Sequence, residues 1–214
     1  MEAFRLAVAQ GADAIELDVR SSADGHLVVH HDARLPDGRT IAALTRAELP
    51  ASVPDLGDAL DACRGAWVNL EIKNASEDPD FDHDRRLARA VVELLAGRDE
   101  PSTQWLISSF DLATVDAVRA ARPTLSTAFL VYEIDDAAVA AAVTGGHHAL
   151  HPWEVTVDAA AIERAAASGL RVNVWTCNDA ERMRELIGWG VDGICTDVPD
   201  VARGVVDERR AALD

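Results

Sequence analysis

Long hydrophobic runs and paired cysteines are missing from this 214-residue chain. No apolar stretch reaches the ~20 residues that a membrane-spanning helix needs, and no charged-then-apolar signal segment opens the sequence. We therefore expect a soluble, cytoplasmic protein. Cys63, Cys177 and Cys195 are odd in number, widely spaced and outside any C-x-x-C pattern. This indicates reduced, mostly buried thiols instead of a disulfide framework or a zinc site.

Basic residues are also few, with 20 Lys and Arg against 37 Asp and Glu, which gives a formal net charge of −17. Nucleic-acid binding needs basic patches to neutralise phosphates, so the charge argues against a nucleic-acid partner. Lys73 is the only lysine in the chain. Because it follows a carboxylate in the segment VNLEIK, it is a candidate functional residue.

The sequence instead contains a regular alternation of strand-like and helix-like segments. Seven strands and eight helices in this order predict a parallel sheet, and most of the helices begin at Asp, a favoured N-cap. No linker or repeat interrupts the pattern, so we expect a single domain over residues 1–214. The predicted fold is an α/β TIM (β/α)₈ barrel that lacks its first strand and has a short, irregular insertion, at 33–54, after the second strand.

The predicted elements have the following bounds. The helices are 1–10, 55–63, 82–96, 111–121, 135–143, 158–168, 179–189 and 199–210. The strands are 13–19, 67–73, 105–110, 127–132, 148–152, 171–176 and 193–197, and a hairpin at 24–32 follows the first of them.

Two strand-like segments carry carboxylates on one face. Successive side chains of a strand point to opposite faces, so Glu16 and Asp18 share one face of 13–19. Glu71 and Lys73 share a face of the second segment in the same way. Carboxylates held close together repel each other unless one is protonated or a cation lies between them. Three of them suit a hard divalent cation such as Mg²⁺ or Ca²⁺, although they could instead form satisfied ion pairs at the strand ends.

Polar residues also follow other strands, at the end of a barrel where active sites lie. They are Ser108, Ser109, His151, Trp175, Thr176, Thr196 and Asp197.

Six segments, which follow one another in the same order along nearly the whole chain, resemble the glycerophosphodiester phosphodiesterase family. The matching pieces are EAFRLAVAQGADAIELDV, DGHLVVHHD, NLEIK, SSF, VWT and GICTDVP. The most specific is GAD-x-IELDV followed by DG-x-x-VV-x-HD. Members of this family are metal-dependent and hydrolyse glycerophosphodiesters to an alcohol and glycerol 3-phosphate, so the resemblance implies a small-molecule phosphodiester substrate.

The resemblance also implies roles for individual residues. Glu16, Asp18 and Glu71 would be ligands of the metal ion, and His31 would be a catalytic acid or base. Lys73 would hold the phosphate, and Trp175 would line the glycerol pocket.

The residues alone leave several of these roles open. His30 and His31 are adjacent, so only one of them can face the site from an extended strand, and it is the resemblance that selects His31. Lys73 could instead form a Schiff base, but its acidic neighbours would raise its pKa, which disfavours a nucleophilic amine. Trp175 could belong to the core, and His151 could be either structural or in contact with substrate.

The sequence departs from the family pattern at its start. The family opens with a strand carrying His-Arg-Gly, followed by Glu-Asn-Thr, directly before the helix that matches Met1 onward. These residues supply a second acid/base, a phosphate-binding arginine and a further metal ligand. Either Met1 is an internal methionine of a longer protein, or the chain is a fragment or a degenerate copy. We expect the first, because the remaining motif residues are intact.

Two consequences follow for the chain as given. A missing acid/base typically costs ~10²–10⁴-fold in rate, so weak activity is expected. The unpaired edges of 13–19 and 193–197 predict low stability, a shift that closes the gap, or self-association. The alternative function is a non-catalytic barrel that binds metal or phosphate.

Overall fold

The computed structural model describes residues 1–212 and contains eight α-helices and eight β-strands within them. The helices are α1 Glu2–Ala9, α2 Leu56–Ala62, α3 Arg86–Ala96, α4 Leu112–Ala121, α5 Asp136–Gly145, α6 Ala159–Ala167, α7 Ala180–Trp189 and α8 Pro199–Ala211. The strands are β1 Ala14–Ser21, β2 Leu27–Val29, β3 Trp67–Ile72, β4 Trp105–Ser109, β5 Ser126–Val131, β6 Ala149–Pro152, β7 Arg171–Val174 and β8 Gly193–Ile194.

These elements form two compact units. The first comprises Met1–Arg5 and Ala14–Thr127, and the second comprises Leu6–Asp13 and the chain from Ala128 onward. In the first unit the strand order is β2-β1-β3-β4, with β2 antiparallel to β1 and the other neighbours parallel. In the second unit β5, β6, β7 and β8 are parallel neighbours in chain order. The predicted α/β class with parallel strands is confirmed.

Alternating burial within β1 gives the first unit its core and its polar face. Ile15, Leu17 and Val19 are buried, whereas Glu16 and Asp18, which lie between them, remain partly accessible. Strand β3 continues the same core with buried aliphatic side chains. The carboxylates are therefore placed together because the apolar residues between them are drawn to the opposite face.

Aspartate caps start three helices of the second unit as the sequence predicts. The carboxylates of Asp135, Asp158 and Asp179 accept hydrogen bonds of 2.7–2.8 Å from backbone N–H groups in the first turns of α5, α6 and α7. Each bond satisfies a donor that has no partner within its own helix.

One predicted helix begins later than expected. Instead of starting at residue 82, α3 starts at Arg86, because Arg85 adopts a left-handed conformation with φ of 56°. The Asp82 carboxylate accepts the N–H of Leu87 at 2.8 Å across this turn. Residues 75–85 thus form a loop after β3.

The strand predicted at 193–197 is also shorter than expected, since β8 contains only Gly193 and Ile194. Cys195 still bonds to β7, since its N–H donates to the Val174 carbonyl at 2.8 Å, but the next two residues bond to a side chain. The Asn178 Oδ1 atom accepts the backbone N–H of Asp197 at 2.8 Å and the hydroxyl of Thr196 at 2.9 Å.

Residues 33–54 are irregular, as predicted, but they are not loosely packed. Two 3₁₀ turns, Ile41–Ala43 and Arg46–Glu48, interrupt this segment. Its apolar side chains form a small core of their own with Val28 of β2.

The edge of β1 differs in part from the prediction. Strand β2 pairs with Val19–Ser21 on one edge of β1, so the end of that edge is covered. Strand β3 pairs with Ala14–Val19 on the opposite edge.

None of the helices among residues 1–212 is long and apolar enough to cross a bilayer.

Candidate metal centre

Strands β1 and β3 bring together the three carboxylates that the sequence predicts as ligands. Their parallel register places Asp18 opposite Glu71, with Glu16 two residues earlier on the same face. Carboxylate oxygens of all three residues lie within 4.8 Å of one another. Such a set of oxygen atoms is of the kind that binds a hard divalent cation.

The negative charges of the three carboxylates are unfavourable together unless a positive charge or a proton neutralises them. Burial, together with the negative charges of Asp18 and Glu71, raises the pKa of Glu16 well above its usual range. Burial also raises the pKa of Glu71, and Lys73 opposes that rise. The Glu16 Oε1 atom is buried and has no hydrogen-bond partner among the described residues. A buried acceptor of this kind is costly unless a cation or a proton satisfies it, so the residues fit a bound metal ion.

Lys73 contacts two of the three carboxylates. Its Nζ atom lies 3.1 Å from Asp18 Oδ1 and 2.7 Å from Glu71 Oε1. Burial opposes the charged amine, but these two carboxylates outweigh it and raise the pKa of Lys73. The lysine is therefore an ammonium, which argues against a Schiff-base nucleophile. With the carboxylates ionised, one ammonium leaves two negative charges in the cluster, the number that a divalent cation neutralises.

His31 follows β2 and is held beside β1. The N–H of His30 donates to the Asp18 carbonyl at 3.1 Å, so the segment lies against the strand that carries the carboxylates. The His31 side chain is 72% exposed, and its Nδ1 atom lies 2.7 Å from Asp32 Oδ1. This hydrogen bond lowers the pKa of Asp32. With Nδ1 engaged by a carboxylate, Nε2 is the ring nitrogen available for proton transfer.

The two candidate residues of the second unit, Trp175 and His151, are held by hydrogen bonds within that unit. The Trp175 Nε1–H group donates to the His151 carbonyl at 2.7 Å, and the ring lies edge-on to Tyr132 with centroids 6.0 Å apart. Trp175 is half-buried, so it is not confined to the core. His151 is buried, which lowers its pKa to about 4, and its Nε2 atom lies 2.8 Å from the Asn173 side-chain nitrogen. A neutral, hydrogen-bonded His151 favours the structural alternative.

Two further polar residues lie beside the carboxylates: Ser108, which the sequence places among the polar strand ends, and Asn69, which sequence reasoning missed. Asn69 lies opposite Glu16 and Ser108 lies opposite Glu71 in the strand register. A side-chain oxygen of each is buried without a hydrogen-bond partner among the described residues. Their proximity depends on register between strands, which the sequence alone does not reveal.

Arg20 was also missed, although a signal for it exists in the sequence. It is two residues beyond Asp18, so alternation places it on the carboxylate face of β1. Its side chain is 3% exposed and forms ion pairs with Asp78 and Asp80 at 2.9 Å.

Comparison with known proteins is consistent with this geometry. A model of the glycerophosphoryl diester phosphodiesterase family matches residues 1–201. The chain is 31% identical to "Probable glycerophosphodiester phosphodiesterase 2" of Mycobacterium tuberculosis, covering 98% of this chain and 85% of that protein. It is 27% identical to a glycerophosphodiester phosphodiesterase of Caldanaerobacter subterraneus, covering 95% and 90%.

Solved structures give a similar result. A phosphodiesterase of Oleispira antarctica, crystallised with the product sn-glycerol-3-phosphate, superposes with a TM-score of 0.85 at 26% identity, covering 95% of this chain and 89% of that one. A glycerophosphodiester phosphodiesterase of Thermotoga maritima gives a TM-score of 0.75 at 26% identity, covering 96% and 89%.

Proposed function

The chain belongs to the glycerophosphoryl diester phosphodiesterase family, and on this premise we propose that it hydrolyses glycerophosphodiesters with the help of a divalent metal ion. The products are an alcohol and glycerol 3-phosphate, which places the reaction in glycerophospholipid metabolism. The observation that carries the proposal is the convergence of Glu16, Asp18 and Glu71, where one buried oxygen has no hydrogen-bond partner among residues 1–212.

The three carboxylates would hold Mg²⁺ or Ca²⁺, both of which prefer oxygen ligands. When bound, the ion would neutralise negative charge on the non-bridging phosphate oxygens. Lys73 donates hydrogen bonds to the same group and adds a positive charge beside it. Its contacts with Asp18 and Glu71 orient the ammonium.

His31 serves as a general acid or base. Hydrolysis forms a bond between phosphorus and a water oxygen, breaks the bond to the departing alcohol, and moves one proton off the water and another onto the alcohol. The hydrogen bond that Nδ1–H donates to the Asp32 carboxylate orients the imidazole, so that Nε2 carries one of these protons. Since His31 performs only one of the two transfers, we expect slow turnover. Trp175 lines the glycerol-binding surface.

Glu16→Gln tests the metal centre directly. The substitution keeps the shape of the side chain and removes its charge, so Mg²⁺, Ca²⁺ or Mn²⁺ binding measured by titration calorimetry should be lost or weakened at least ~10-fold. Release of glycerol 3-phosphate from glycerophosphocholine, followed by ³¹P NMR, should fall in parallel and vanish with EDTA. Glu93→Gln, on the exposed face of α3, is the matched control.

The outcomes separate the two functions. Metal binding that depends on Glu16, without turnover of any glycerophosphodiester, would support the non-catalytic alternative. Equal metal affinity in Glu16→Gln and the wild-type chain would show that the carboxylates are only ion pairs.

A further inference from the structure

Arg20 makes a set of contacts that uses all three nitrogens of its guanidinium. Nε and Nη2 donate to the His31 carbonyl at 3.0 and 2.8 Å. Nη1 donates to the Asp80 carboxylate, with both oxygens at 3.0 and 2.9 Å, and Nη2 donates to Asp78 at 2.9 Å. The guanidinium is therefore bonded to three different residues.

This arrangement connects three separate parts of the first unit. Arg20 lies on β1 two residues beyond Asp18, His31 follows β2, and the two aspartates lie in the loop 75–85 after β3. The aspartates are 58 and 60 residues away from Arg20 in the sequence. A planar guanidinium that bonds through all three nitrogens holds its partners in fixed directions. The His31 backbone is thus tied to the strand that presents the carboxylates.

We propose that Arg20 is a positioning residue that acts through His31. The imidazole is exposed, and its Nδ1 bonds to the adjacent, exposed Asp32, so neither packing nor that bond sets its place relative to the carboxylates. The backbone does, and Arg20 holds it at the His31 carbonyl. Asp78 and Asp80 compensate the buried positive charge and hold the guanidinium edge-on to that carbonyl. The inference rests on the proposed role of His31 in the hydrolysis.

A purely structural role would predict a different result. Arg98 provides the comparison, because it is a partly buried arginine of the same unit whose Nη2 lies 2.7 Å from both Asp61 and Glu100. Loss of either arginine should lower stability. Only loss of Arg20 should displace His31.

The first experiment reads the position of His31 without requiring activity. Ring ¹⁵N NMR spectra of Arg20→Ala, Arg20→Lys and Arg98→Ala are compared with the wild-type spectrum, and His31 is assigned from its absence in His31→Gln. We expect the His31 signal to shift or broaden in both Arg20 variants, because lysine lacks the planar fork, and to stay unchanged in Arg98→Ala. An unchanged His31 signal in Arg20→Ala would overturn the proposal.

The second experiment is a double-mutant cycle on hydrolysis. A displacement of about 1 Å in a catalytic group can cost roughly 10²-fold in rate, so Arg20→Ala should lower kcat by that order with little change in KM. In a His31→Ala background the same substitution should have no further effect, because the residue through which it acts is gone. Losses that multiply would show that Arg20 acts independently of His31.

Chemical rescue provides a third readout. Added guanidinium ion should restore part of the kcat of Arg20→Ala and none of any loss in Arg98→Ala; equal responses would contradict the proposal. If no variant, including the wild-type chain, hydrolyses substrate, the proposed function fails, and the NMR comparison still decides whether Arg20 positions His31.

Discussion

At the scale of single residues, the burial of the Glu16 carboxylate is the main unfavourable feature of the cluster. This carboxylate lies beside two others, and its buried Oε1 atom has no hydrogen-bond partner in the part of the chain that the structure describes. A protein keeps such a group at a cost in stability, and functional sites are where that cost is commonly found. A metal ion would convert the unfavourable cluster into a favourable one, which explains why a destabilising arrangement occurs in the middle of two well-packed strands.

The raised pKa of Glu16 determines the sign of its effect on stability. In the metal-free protein the folded-state pKa lies above the unfolded one, so the favourable contribution of the protonated form is complete at low pH and is lost as pH rises through the folded-state value. Glu71 acts in the same direction. We therefore expect Glu16→Gln to melt at a higher temperature than the wild-type chain in EDTA near pH 7, with a smaller difference near pH 4.

A bound metal ion should reverse the order of the two melting temperatures, so that the wild-type chain melts above Glu16→Gln. Because ligands bind the ion in their deprotonated form, metal affinity should increase with pH and binding should release protons. In saturating Mg²⁺ the wild-type chain should gain melting temperature and Glu16→Gln should not. Calorimetric scans at several pH values measure both effects, and a variant that is less stable than the wild-type chain in EDTA at pH 7 would contradict the assignment.

At the scale of elements, the loop 75–85 is the segment that the strand–helix pattern describes least. Its attachment depends on Asn74, a buried amide that donates to Thr114 Oγ1 at 2.9 Å and accepts the N–H of Asp82 at 2.7 Å. One side chain thus joins the end of β3 and the last residues of the loop to the first turn of α4. The same loop carries the two aspartates that bind Arg20.

Asn74→Ala should loosen this loop. Removing the amide leaves buried polar groups unsatisfied, which typically costs ~1–3 kcal/mol, and denaturant unfolding measures that loss. Limited proteolysis should then cut within 75–85 faster than in the wild-type chain. Ser76→Ala is the matched control, since Ser76 is exposed and its hydroxyl bonds to the neighbouring, exposed Glu77. Equal cleavage of the two variants would show that Asn74 does not restrain the loop.

At the scale of the whole molecule, the strand edges that the sequence predicts to be unpaired and the net charge would act in opposite directions. Ala14–Asp18 has its ladder with β3, and the two residues of β8 pair with β7. Unpaired edges favour association, whereas a net charge of −17 opposes it. We propose that self-association is held in check by this charge.

Salt should therefore change the oligomeric state. Screening shortens the range of the repulsion from ~10 Å at 0.1 M to ~3 Å at 1 M, so light scattering after size exclusion should show a monomer at low salt and a concentration-dependent larger species at high salt. A monomer under all conditions would contradict the edge argument.

Much of the site was predictable because it depends on local periodicity. The alternation in DAIELDV determines that Glu16 and Asp18 share a face, and the same rule applied two residues further would have identified Arg20. The helix caps at Asp135, Asp158 and Asp179 are equally local. Adjacent histidines, by contrast, are not distinguished by alternation unless the face of the hairpin is known, so His31 required the family resemblance.

The sequence by itself determined the order of strands and helices, the side chains that share a strand face, and the family. Only the tertiary structure decided that Glu71 lies opposite Asp18, that Lys73 bonds to both, and that Arg20 reaches two aspartates about 60 residues away. The reason is physical: periodicity is a property of neighbouring residues along the chain, whereas register and charge pairing between strands depend on how the buried faces pack together.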